Sequence, residues 1–69
     1  MKYQFTFYNP DHKYKPITVT LVPRPKEKFS ALKKRAVEKV CAERYWTIHD
    51  MLYRFNYTKF RWRTLKEDK

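Results

Sequence analysis

The apolar residues of this chain change period twice, and that change limits the fold more than any other feature. Tyr3, Phe5 and Phe7 alternate with Gln4, Thr6 and Tyr8, and Ile17, Val19 and Leu21 alternate with Thr18, Thr20 and Val22. Successive side chains of a strand point to opposite faces, so each run predicts a half-buried strand. Between them, Asn9-Pro10-Asp11-His12 has turn chemistry: proline presets φ, and Asn and Asp favour turn ends. The two runs therefore predict an antiparallel hairpin with a loop over about residues 9–15. Pro23-Arg24-Pro25 then stops the strand, because proline cannot donate to a ladder and biases its predecessor away from the helical region.

Beyond that hinge the period lengthens. Phe29, Leu32, Ala36 and Val40 recur at steps of three, four and four, with Val37 beside them. This is the stripe of an amphipathic helix from about Lys26 to Arg44. Lys33 falls inside the apolar arc and must carry its charge outward on its stem. Thr47 and Asp50 have the spacing of a short capping box. Ile48, Met51, Leu52 and Phe55 follow at helical spacing, and Asn56 suits a left-handed C-cap, so a second helix of about two turns is expected. Phe60 and Trp62 return to alternation, now with Lys59, Arg61 and Arg63, which predicts a third strand.

The order β-β-α-α-β predicts a small single α+β domain over residues 1–65, with residues 66–69 as a flexible tail. A three-stranded antiparallel or mixed sheet would carry both helices on one face. Hydrophobic residues make up 42% and aromatics 19%, too much apolar surface for a disordered chain. The chain has no glycine, so positive-φ turns are expected to fall on Asn or Asp, or to be avoided.

Alternation also sorts the sheet residues into two faces. Tyr3, Phe5, Phe7, Ile17, Val19, Leu21, Phe60 and Trp62 belong to the core face. The other face then carries Tyr8, several hydroxyls and the row Lys59, Arg61 and Arg63, whose members stand about 6.5–7 Å apart along the strand. That interval is close to the separation of neighbouring phosphates on a nucleic-acid strand. Arginine adds bidentate phosphate bonding and stacking on bases. Residues 57–66, which include Lys66, hold four cations and no acid, within a chain of formal net charge +10. Such an excess attracts polyanions, with nucleic acid, DNA or RNA, foremost and an acidic protein next.

Two readings of the row follow. In one, Lys59, Arg61, Arg63, Lys66 and Tyr8 form a nucleic-acid-binding surface of low sequence specificity. In the other, the row is a wet edge whose charge blocks aggregation. In that second case the chain is an interaction module that docks on an acidic partner or pairs through an open sheet edge. Proteins of this size and charge are common products of phages and other mobile elements. Lys28, Arg35 and Lys39 form a secondary basic stripe on the first helix, with Glu38 and Glu43 close enough to pair with it. Tyr14, in the loop, can stack on a base or fold back on the hairpin.

Chemistry is mostly excluded. Without glycine there is no phosphate loop, dinucleotide fingerprint or nucleophile elbow. One cysteine and two histidines cannot close a zinc site, and Cys41 beside the apolar stripe reads as a buried structural thiol. Nothing in the spacing unites His12, His49 and Arg61 for acid–base work. The short link Arg44-Tyr45-Trp46 would suit a helix-turn-helix, but the second helix lacks the positive charge of a recognition helix. We therefore expect a non-enzymatic protein with no metal and no cofactor, monomeric or homodimeric. It has no membrane span and no signal-peptide pattern in MKYQFTFYNP, and a single cysteine allows no intrachain disulfide, so the cytoplasm is its expected location.

Overall fold

A computed structural model describes residues 1–66; the expected tail beyond Lys66 lies outside the described residues. The elements are strand β1 (Lys2–Tyr8), strand β2 (Ile17–Leu21), helix α1 (Phe29–Arg44), a π-helical turn (Asp50–Arg54) and strand β3 (Lys59–Leu65). The sheet order is β2-β1-β3 and every pairing is antiparallel. The first strand is therefore the central one. β2 and β3 flank it and run parallel to each other, so the chain must cross over β1 between them, and α1 lies in that crossover.

The register sorts the faces as alternation predicts. Phe5 stands opposite Val19 on one side and Trp62 on the other, and Phe7 opposite Ile17 and Phe60. Of these, Phe5, Phe7, Ile17 and Val19 meet Leu32, Ala36, Val40 and Cys41 of α1, Met51 of the π-turn and Tyr57 to make the buried cluster, and Phe60 packs against it half-buried. A fully buried aliphatic or aromatic side chain contributes roughly 1.5–3 kcal/mol, so this cluster is the main source of stability.

Burial depth is less uniform than the alternation implies. Trp62 is on the core face but 48% exposed, and Phe29 at the start of α1 is 40% exposed. They pack on each other with centroids 4.9 Å apart, and Trp62 packs on Tyr3 at 5.6 Å. The reason is geometric. α1 packs over β2, so the inner face of the far edge strand, β3, is only partly roofed.

The expected second α-helix is replaced by a shorter, wider turn. Its start is as expected: Asp50 N–H donates to Thr47 Oγ1 (3.0 Å) and Thr47 N–H to Asp50 Oδ2 (3.1 Å). Met51 N–H still bonds to Thr47 O, but Phe55 N–H reaches back five residues to Asp50 O. Two long-range demands end the turn there. The Phe55 carbonyl accepts a hydrogen bond from Asn9 Nδ2 at 3.0 Å. Tyr57, 5% exposed, must enter the core while its hydroxyl donates to Lys15 O. The chain reverses between them at Asn56, φ 55°.

Among the described residues, Asn56 is the only left-handed residue of the expected type. His12 (φ 56°), Lys26 (φ 63°) and Tyr45 (φ 57°) occupy the others. Each carries the Cβ clash of that conformation, about 1 kcal/mol, which a glycine would avoid.

Candidate functional site

The outer face of the sheet is set by the same register that builds the core. Tyr8 pairs with Lys59, Thr6 with Arg61 and Gln4 with Arg63. Across the other ladder, Thr18 stands beside Thr6 and Thr20 beside Gln4. Lys59, Arg61 and Arg63 are all exposed and share one side of β3. With Lys2, Val22 and Leu65 added, the face contains four cations and no acid among the described residues.

Local contacts hold part of this face in place. Arg63 Nε donates to Gln4 Oε1 at 2.8 Å, a bond that does not use its two terminal nitrogens. The Thr6 and Thr18 hydroxyls share a hydrogen bond at 3.1 Å. The Arg61 guanidinium lies 6.0 Å from the Tyr8 ring centroid. His12 lies 6.4 Å from the same ring and only 6° from parallel to it. A shallow cleft of about 330 Å³ runs between Gln4, Thr6, Arg61 and Arg63, with Trp62 at its side. Planar groups beside cations suit a ligand that presents phosphates and bases together.

Other candidate residues have different positions. Lys66 is exposed but follows the end of β3, outside the row. Tyr14 folds back against Phe55 (5.6 Å, edge-on) and Tyr57 (6.1 Å) and is not part of the face. In the helical stripe, Lys28 caps the start of α1 and is exposed, but its companions are engaged. Arg35 grips Glu27 through two bonds of 2.7 and 2.6 Å and also donates to Val22 O at 2.9 Å. Glu27 in turn accepts from the Arg24 N–H at 3.0 Å. The Arg35 bonds and the Arg24 amide hold the Glu27 carboxyl down to about 2. Lys39 Nζ donates to Thr20 O at 3.2 Å. Arg35 and Lys39 therefore fasten the end of β2 and the proline hinge to α1.

Lys2 and His12 are the members of the face that sequence reasoning missed. Lys2 continues the Gln4–Thr6–Tyr8 alternation one step earlier, so the signal was present. His12 arrives through a left-handed turn that no periodicity reveals.

Burial, then the nearby Asp50 and Glu38 charges, push the Cys41 thiol up from its ordinary value. Its Sγ contacts are Thr47 O and Met51 Sδ. His49 packs at a tilt against Tyr53, with ring centroids 4.8 Å apart, whereas His12 pairs with Tyr8. Among the described residues no three His, Cys, Asp or Glu side chains are grouped to hold a metal ion, and no helix is long and apolar enough to cross a membrane. A scan against protein-family models, a search of curated proteins and a search of solved structures each returned no match.

Proposed function

We propose that this protein is a small nucleic-acid-binding module that grips the phosphate backbone through the outer face of its sheet, largely by charge and with little sequence preference. Lys59, Arg61 and Arg63 are the phosphate contacts, Lys2 extends them across β1, and Tyr8 with His12 offers planar surface to bases. The observation that carries this reading is that three exposed cations of one strand share one side, on a face with no acid among the described residues. Such a module needs neither cofactor nor catalytic group and would act in the cytoplasm. An acidic protein on the same face is the competing occupant.

The test is fluorescence anisotropy with labelled single- and double-stranded oligonucleotides over a salt series. Four phosphate contacts predict a slope of log K against log salt of about −3.6 for duplex and about −2.8 for single strands. Between about 50 and 200 mM salt, affinity should then fall by about 150-fold for duplex and about 50-fold for single strands. Arg61→Glu combined with Arg63→Glu should abolish binding while the fold persists. Unchanged affinity in that folded variant, or no binding at low salt, refutes the assignment.

A further inference from the structure

On the opposite side of the sheet from the cation row, the partial roof over β3 leaves a groove of about 290 Å³ between α1, the π-turn and β3. Its floor is Phe7 and Met51, both essentially buried, and its walls are Val37, Ile48, Leu52 and Phe60. Ile48 is 45% exposed, and Val37 and Phe60 are only partly covered. At about 30 Å³ per water-sized group, the groove holds about ten such groups, the scale of one large side chain. A small-molecule site would enclose most of its ligand, which this open groove does not.

The rim is charged with one sign only. Lys33 and Lys34 line the groove, and among the described residues no Asp or Glu does. The Lys33 ammonium stands 4.2 Å from the Phe60 ring centroid, above the apolar wall. Neither lysine has a carboxylate partner among the described residues, whereas Arg35 and Lys39 on the same helix are engaged. An apolar slot beside two unneutralised ammonium groups is complementary to a bulky apolar side chain with carboxylates next to it. A nucleic-acid backbone offers the charge but nothing to fill the slot.

We propose that this groove docks an acidic segment of a partner protein. One aromatic or large aliphatic side chain fills the slot, and flanking Asp or Glu carboxylates reach Lys33 and Lys34. Because the groove and the cation row lie on opposite faces of the sheet, both can be occupied at once. This makes the domain an adaptor, and the groove stands whether or not the outer face binds nucleic acid.

The probe is a synthetic peptide with one phenylalanine flanked by glutamates, titrated into the ¹⁵N-labelled protein. Amide shifts should cluster at Lys34, Val37, Ile48, Leu52 and Phe60. Lys33→Glu with Lys34→Glu, and separately Ile48→Asp, should each weaken binding by about tenfold or more, as should alanine in place of the peptide phenylalanine. Lys34 and Ile48 are exposed, so Lys34→Glu alone and Ile48→Asp should keep the spectral dispersion of the parent and separate lost binding from any effect of the half-buried Lys33 on the fold. Arg61→Glu with Arg63→Glu should leave the affinity within about threefold. Shifts centred on Arg61 and Arg63, or equal binding by the alanine peptide, would overturn the proposal, because either means capture by charge alone.

Discussion

Replacing Asn9 by Asp should convert a silent structural residue into a pH-sensitive fault. Asn9 is 1% exposed and joins two distant parts of the chain. Its Nδ2 donates to Phe55 O at 3.0 Å, and its Oδ1 accepts from the Asp11 N–H at 2.8 Å. Aspartate keeps the shape and the second bond but faces the Phe55 carbonyl with an acceptor. The unmade bond costs about 1–3 kcal/mol. The alternative is to take up a proton, which restores the donor. From an ordinary value near 3.9, that costs about 4 kcal/mol at pH 7 and under about 0.5 kcal/mol at pH 4. The penalty at neutral pH should therefore be about 2–4 kcal/mol, out of a total of roughly 3–10 kcal/mol for a domain of this size. In the folded variant the carboxyl is raised above its unfolded value, so the penalty grows as pH rises from about 4 and is nearly absent below it. Guanidinium denaturation followed by circular dichroism, at about pH 7 and pH 4, reads both numbers against the parent. Asn9→Ala removes the bonds without a titrating group and should be destabilised similarly at both values. A deficit for Asn9→Asp that does not shrink at acid pH would refute the role given to the Asn9–Phe55 bond.

Two further expectations concern the straps and turns. Glu27 titrates at about 2 in the folded state against 4.5 when unperturbed, so the stability it contributes is present above about pH 4.5 and lost as pH falls towards 2. Glu27→Gln should be less stable than the parent at neutral pH, with the gap closing in denaturation curves taken near pH 2; a gap that persists there contradicts the clamp. Tyr45 ends α1 in the left-handed region with its side chain 96% exposed. Tyr45→Gly should therefore stabilise by about 0.5–1 kcal/mol and raise Tm by a few degrees, and a lowered Tm would show that the ring contributes packing we do not assign to it.

How much of this could be read from sequence depended on the range of the interaction. Strand faces are a local, period-two property. Phe5, Phe7, Ile17 and Val19 could thus be placed inward, and Lys59, Arg61 and Arg63 on one outer side, before any register was known. Depth is not local. Trp62 has the right face but lies under the margin of a roof whose position depends on where α1 crosses. The π-turn fails for the same reason: the spacing of Ile48, Met51, Leu52 and Phe55 is helical, but Asn9 and Tyr57 decide where the turn ends. Helical position groups Arg35 with Lys28 and Lys39, whereas its partner, Glu27, sits before the helix in the hinge. Lys33 was legible as an anomaly inside an apolar arc, though not that Phe60 would lie beneath its ammonium.

The position of β1 in the sheet has a consequence for the order of assembly. Its partner β2 follows after the loop of residues 9–16, so the hairpin can close early and locally. The strand that covers its other edge begins only at Lys59, after α1 and the π-turn. Until then the row of backbone donors and acceptors on the far side of β1, flanked by Phe5 and Phe7, is open to any passing strand. The hazard is thus one of timing: a nascent chain that has emerged as far as α1 already holds the middle of its sheet, with one side still unguarded.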